Sequence, residues 1–223
     1  MDHTVEHPGK AFCKFIYIGI ANDKRLQYLE FIHVGRGGVW KDLAGISYRA
    51  ASSLQKMSAT NPFQKLKAVF RHKNYDWKNN SVDRLPGWNF VNFPKHNSNI
   101  YTWLTEYEDA PRLRRIKKLE YRHPNRVFKV VAIESSLNEK DKKLYSALFG
   151  HAKNNMQSLL CKTIFSALPA KKSKLESIVL ATKDLKSLIK KFEWDELTVY
   201  EGQPAVRIKN PNAGMWDVLI VQQ

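Results

Sequence analysis

Two apolar, β-prone runs open the chain, KFIYIGI and LQYLEFIHV, on either side of the turn-forming Asn22-Asp23-Lys24, and together they predict a β-hairpin. The second run ends in Val34-Gly35-Arg36-Gly37-Gly38. Three glycines in so short a stretch imply a turn with positive φ or a close approach to a ligand. Tyr48-Arg49-Ala50 then begin a helix-like run to Met57, Asn61-Pro62-Phe63 interrupts it, and KLKAVF reads as a strand.

The next stretch, residues 71–104, has too much Asn, Pro and Gly for a continuous helix. It carries Trp77, Trp88, Phe90, Phe93, Tyr101 and Trp103, too many aromatics for a plain linker. It is expected to be an irregular excursion, either anchored on the core by those rings or presenting them to a ligand. Beyond it, Leu113, Ile116 and Leu119 mark an apolar stripe on a helix whose other positions are Arg112, Arg114, Arg115, Lys117 and Lys118, with Arg122 and Arg126 following and Pro124 as the stop. VFKVVAI reads as a buried strand, and LNEKDKKLYSALFGHAKNNMQSLL as a helix with Leu144, Ala147, Leu148 and Ala152 at helical spacing.

After the basic break LPAKKSK, the pattern becomes strand (KLESIVLA), amphipathic helix (KDLKSLIKKF), then three short strands (LTVY, AVRI, WDVLIV), with a Pro-Asn-Ala-Gly turn before the last. The whole predicts an α+β protein of mixed α/β character: a small antiparallel sheet with flanking helices, plus a C-terminal α/β segment. Residues 1–167 are expected to form the first domain, with 71–104 as an aromatic-rich insertion. Residues 168–223, a βαβββ segment, either form a small domain of their own or complete the first sheet.

Charge adds a partner to this outline. Against 21 Asp and Glu stand 37 Lys and Arg, a formal net charge of +16 on 223 residues. Such a surplus favours a polyanion through phosphate neutralisation and counterion release, so nucleic acid is the expected partner, DNA ahead of RNA. A lysine-rich surface that serves solubility, or contact with acidic lipid, explains the same charge without nucleic acid. With 43% hydrophobic residues the chain can build a core. Its two cysteines, Cys13 and Cys161, have no metal-ligand spacing, which argues against a zinc finger or disulfide scaffold and suits a reducing compartment. No apolar run reaches the roughly 20 residues a membrane helix needs, and the start is not a signal peptide, so a cytoplasmic protein without membrane contact is expected.

The order hairpin, glycine, helix, strand resembles the GIY-YIG nuclease module. Tyr17-Ile18-Gly19 stands where that family has its first motif, His33-Val34-Gly35 where it has the second, with His33 in place of a tyrosine, and Arg49 where it has its helix arginine. Arg115-Ile116, the strand around Val130 and Leu137-Asn138-Glu139 continue the family's rhythm. The resemblance implies a metal-dependent endonuclease of restriction or defence type. Tyr17 and His33 would handle the proton of the attacking water, Arg49 would steady the phosphate, and Glu134 or Glu139 would hold Mg²⁺. The family's glutamate position is occupied by Leu144-Tyr145, so the nearest carboxylates stand in for it. Arg36, Arg112, Arg114, Arg115, Lys117, Lys118, Arg122 and Arg126 would grip the DNA backbone, and a homodimer would suit symmetric cuts.

Each of these residues also has a plain reading. Tyr17 can be a cross-strand aromatic, His33 a strand-end hydrogen-bonding group and Arg49 a surface cation. Two further functions stay open: a non-catalytic nucleic-acid-binding protein on a degenerate nuclease scaffold, and a metal-independent base-excising glycosylase or lyase. For the last, Asp217 beside Trp216 and Lys73 near Tyr75 are the candidates. Protease, esterase and P-loop motifs are missing from the sequence.

Overall fold

The computed structural model describes residues 3–7, 11–20, 26–34, 44–49, 54–59, 64–65, 67, 69–73, 88–93, 100–107, 126–149, 155–157, 162–165, 170–191, 196–209 and 216–223. Strands dominate these residues, in a mixed α+β arrangement of three sheets. The first is β1 (His3–His7), β2 (Ala11–Ile20) and β3 (Leu26–Val34), antiparallel in the order β1-β2-β3. The second combines β4 (Ala44–Arg49), β5 (Val69–Lys73), β6 (Trp88–Asn92) and β7 (Ile100–Tyr107) in the order β4-β7-β6-β5. The short helix α1 (Leu54–Ser58) belongs to this part, and its Leu54 amide donates to Glu106 Oε2 at 3.1 Å. That carboxylate satisfies one of the amides a helix start leaves unpaired.

The third sheet carries seven strands, and its order organises the rest of the molecule. Its first part is β8 (Val127–Ser136), helix α2 (Glu139–Phe149), β9 (Asn155–Gln157) and β10 (Lys162–Phe165). Its second part is β11 (Lys174–Thr182), helix α3 (Leu185–Lys191), β12 (Glu196–Tyr200), β13 (Gln203–Ile208) and β14 (Asp217–Gln222), a βαβββ unit. The spatial order is β12-β13-β14-β11-β8-β10-β9. In each part the first strand lies parallel to the last, β8 beside β10 and β11 beside β14, a pairing that needs a helical crossover. The two parts meet where β11 runs antiparallel to β8. The C-terminal segment therefore shares one sheet with the strand and helix that precede it.

Local chemistry explains the element boundaries. VFKVVAI and SIVLAT are rich in β-branched residues, which fit a pleated surface packed on both faces. Asn138 stops β8 and caps α2, its Oδ1 accepting the Asp141 amide at 2.9 Å, while its own amide donates to Ser173 Oγ at 2.8 Å. Asp184 caps α3, taking the Ser187 amide at 3.0 Å and the Ser187 hydroxyl at 2.7 Å. The Leu185 amide donates to Gln222 Oε1 at 2.9 Å, which ties the start of α3 to β14. Between β12 and β13, Tyr200 pairs with Gln203 around the two-residue loop Glu201-Gly202, whose φ values are 48° and 79°. Two successive positive φ values define the tight turn that suits the twist of a hairpin.

The helices cover one face of the large sheet. Leu144 and Tyr145 of α2 and Leu185 and Leu188 of α3 share a buried cluster with Val127, Val130, Ile178, Leu180, Val206 and Ile220. Ile18, Leu54, Val91, Phe93, Ile100 and Leu104 join the same cluster, so the smaller sheets and the large one are packed together. A second cluster forms on the opposite face from Ala132, Val179, Tyr200, Ala205, Leu219 and Val221. No helix among the described residues is long and apolar enough to cross a membrane.

Three expectations about elements change. Tyr48 and Arg49 lie in β4 and not on a helix, because β4 finds a parallel partner in β7, with Arg49 opposite Thr105. Residues 71–104, expected to be irregular, contribute the end of β5, all of β6 and the start of β7, with Val91, Phe93 and Ile100 buried. The helix expected from Leu137 to Leu160 ends at Phe149, and Asn155–Gln157 pairs instead with β10.

Candidate functional site

The hairpin residues singled out by the sequence are not brought to one point. Tyr17 is opposite Tyr28 and His33 is opposite Phe12, so the two positions stand five residues apart along β2. At about 3.4 Å per residue that is roughly 17 Å. Arg49 belongs to a different sheet. Of the expected carboxylates, Glu139 is exposed at the start of α2 and Glu134 is half-buried in β8. Among the described residues no group of three or more His, Cys, Asp or Glu side chains is placed to hold a metal ion. Arg36, Arg112, Arg114, Arg115, Lys117, Lys118 and Arg122 lie outside the described residues. Arg126 is exposed, and its Nη1 donates to Asp184 Oδ2 at 2.6 Å.

A denser polar arrangement crosses the face of the large sheet opposite α2 and α3. Registered neighbours in a sheet point the same way, so Glu134 on β8, Ser177 on β11 and Asp217 on β14 share a face. The next register line on that face is Ala132, Val179, Leu219, Arg207 and Glu196. Polar groups thus form a band beside the apolar cluster. The buried Ser177 hydroxyl donates to Glu134 Oε2. Arg207 Nη1 donates to Asp217 Oδ2 at 3.3 Å, and Glu196 Oε2 lies 3.9 Å from Arg207 Nε and 3.2 Å from Lys209 Nζ. The longer of these is an ion-pair distance beyond hydrogen-bond reach, so the buried Nε has no hydrogen-bond partner among the described residues.

Tyr200 belongs to the same face, its side chain in one buried cluster with Ala132, Val179, Ala205, Leu219 and Val221. Its side chain is buried, and its hydroxyl has no hydrogen-bond partner among the described residues. Burial first, then the charges of Glu134 and Glu201, push its pKa above the ordinary tyrosine value of 10.0. The hydroxyl therefore stays a neutral donor and acceptor at physiological pH. Sequence reading put Glu134 among its candidates for another reason and missed Tyr200, Ser177 and Arg207. Only the strand alternation of LTVY and AVRI hinted that one side of each carries groups facing inward.

No family model matches the chain, and no curated protein matches it. Among solved structures, the chain is similar over its whole length to 89% of a hypothetical protein from Staphylococcus aureus, at 10% identity and a TM-score of 0.56. It also aligns over its whole length with 81% of 2,2',3-trihydroxybiphenyl 1,2-dioxygenase from dibenzofuran-degrading Sphingomonas wittichii strain RW1, at 10% identity and a TM-score of 0.45. The first likeness is one of fold.

The endonuclease expectation is corrected by these findings. The fold likeness to the Staphylococcus aureus protein runs through the full chain rather than through an N-terminal module. The segment order that carried the resemblance also resolves differently: the arginine-bearing helix is a strand, and Tyr17, His33 and Arg49 are divided between two sheets. The degenerate-nuclease reading falls with the same scaffold. Base excision is not retained either, since its candidates Lys73 and Asp217 lie in different sheets.

Proposed function

We propose that this protein binds a small molecule against the face of its seven-stranded sheet opposite α2 and α3. One observation carries the reading: a polar band, with Glu134, Ser177, Asp217 and Arg207 on four adjacent strands, borders the buried apolar cluster of that face. Apolar walls with a few fixed polar groups are what small-molecule sites are made of. The rigidity of the support adds weight, since every one of these residues sits within a strand rather than on a loop. Ligand-observed NMR against a library of small polar fragments, followed by amide shift mapping of the best binder, tests this. The expected shifts fall together on Glu134, Ser177, Arg207 and Asp217. Shifts confined to the β4-β7-β6-β5 sheet would overturn the reading.

The net charge of +16 supports a second reading, in which the outside of the molecule contacts a polyanion such as nucleic acid. The expected behaviour is binding to a 20-base-pair duplex in 50 mM salt that weakens steeply by 200 mM, as counterion release requires. Fluorescence anisotropy at several salt concentrations measures it. A salt-independent affinity, or none at 50 mM, would reject this partner.

A further inference from the structure

β12 ends the large sheet, with β13 on one side and no strand among the described residues on the other. The two-residue turn at Glu201-Gly202 fixes which of its backbone groups are left over. Tyr200 and Gln203, which flank that turn, exchange both backbone hydrogen bonds, and the alternation that follows gives β13 the amides and carbonyls of Tyr200, Thr198 and Glu196. Those of Leu197 and Val199 therefore point away from β13, to the open edge. Their side chains are open as well, 66% and 68% exposed. Leu197 stands opposite the buried Val206, so both lie on the face covered by α3, which packs over β13 and β14 and leaves them bare. Ile208, two residues along β13 from Val206, shares that face and is also exposed. A lysine, a proline or a bulge usually guards an edge strand; Leu197-Thr198-Val199 has none of these, and its register with β13 is unbroken.

The geometry points to a second copy of this chain as the occupant of that edge, its β12 pairing antiparallel with the first about a two-fold axis at Thr198. The reason is a symmetry in the strand itself. The outward backbone groups fall one residue either side of Thr198, so in that register Leu197 meets Val199 of the second copy, and the reverse. Each of the four outward amides then finds an outward carbonyl, and the four exposed side chains meet as two cross-strand pairs on one face. A strand of unrelated sequence would satisfy the backbone groups but needs its own apolar residues at the same two places; a second copy supplies them by construction. The interface is one five-residue strand long, so the dimer is weak, with a Kd on the order of 10–100 µM. The charge of +16 on each copy opposes it, so salt strengthens it.

Sedimentation velocity on the full-length protein from about 5 to about 300 µM is expected to show passage from one chain mass to two. Raising salt from about 50 to about 300 mM should tighten the association, whereas two copies bridged by a bound polyanion would separate. Val199→Lys puts a charge where the apolar pairs meet, and Val199→Pro removes an outward amide while sparing the ladder to β13; each should weaken association about tenfold or more. Because Val199 is exposed in the single chain, the lysine variant should keep the native amide spectrum. Cysteines in a Cys13→Ser, Cys161→Ser background read the register separately. In the proposed pairing the two copies of residue 198 face each other about 4.5 Å apart, so Thr198→Cys should form an intermolecular disulfide on mild oxidation, and Leu197→Cys, offset from its own copy, should not. A single chain mass at every concentration would give the edge to some other strand and overturn the inference. So would a dimer that salt dissociates, one that both Val199 variants leave unchanged, or cross-linking of Leu197→Cys in preference to Thr198→Cys.

Discussion

Asp184 shows how much one side chain decides. It accepts from both the amide and the hydroxyl of Ser187, and Arg126, at the start of the neighbouring strand β8, adds an ion pair. Those hydrogen bonds, and then the guanidinium, hold its carboxyl below the ordinary value of 3.8. The unfolded chain binds that proton more readily, so the cap stabilises fully above the ordinary value and weakens as pH falls through the lower folded one. Asp184→Asn, which can still cap, should keep most of the melting temperature at pH 7 and lose its acid dependence; Asp184→Ala should lower it at every pH above 4. Thermal melts from pH 2 to 7 separate the two. Tyr200 works in the opposite sense. Because its folded pKa is raised, the stability linked to it is present below pH 10 and declines as pH rises beyond that. Tyr200→Phe should leave the protein as stable or more stable by about 1 kcal/mol, since a buried, unpaired hydroxyl is removed. A loss above about 2 kcal/mol in urea denaturation would mean that the hydroxyl is paired in solution.

At the scale of elements, legibility followed the strength of the local pattern. The hairpin of β2 and β3, the strand β8, and the unit from β11 to β14 all coincide with runs visible in the sequence, because their periodicity is set by burial on known faces. Amphipathicity in α3 gives a direct test. Leu188 is buried and Ile189, its chain neighbour, is 36% exposed. Leu188→Ala should cost about 2–5 kcal/mol and Ile189→Ala under about 1 kcal/mol, measured by chemical denaturation. Other elements were hidden for a physical reason. Ala44 to Arg49 carries no strand signal of its own, and it becomes β4 because residues more than fifty positions later offer a parallel edge. β6 and β7 were masked by their own aromatics and flanking turn residues, which look alike in a loop and in a half-buried sheet. Glu134 was legible as a carboxylate on a strand, but its neighbours Ser177 and Asp217 come from register, which no local pattern records.

For the molecule as a whole, the large sheet is the organising body. Its centre is the β8–β11 pair, which joins the part ending at Phe165 to the part beginning at Lys174. Neither part closes its own core, since Val130 and Leu180 lie in one cluster with residues of both helices. The two should therefore unfold together. Native-state hydrogen exchange is expected to give the amides of β8 and β11 the same opening free energy, within about 0.5 kcal/mol. A clearly lower value for β11 to β14 would show that the C-terminal segment opens as an independent unit.

The turn at Glu201-Gly202 couples the hairpin's backbone to the titration of Tyr200. Glu201 occupies a left-handed position that asparagine tolerates better, so Glu201→Asn should stabilise the hairpin by up to about 1 kcal/mol. Glu201 is also one of the charges that, after burial and Glu134, raise the Tyr200 pKa. The same replacement should bring the tyrosine's titration closer to that of a free phenol. One residue of the corner is thus read out twice, by its backbone in the hairpin's stability and by its charge in the alkaline titration of the neighbouring tyrosine.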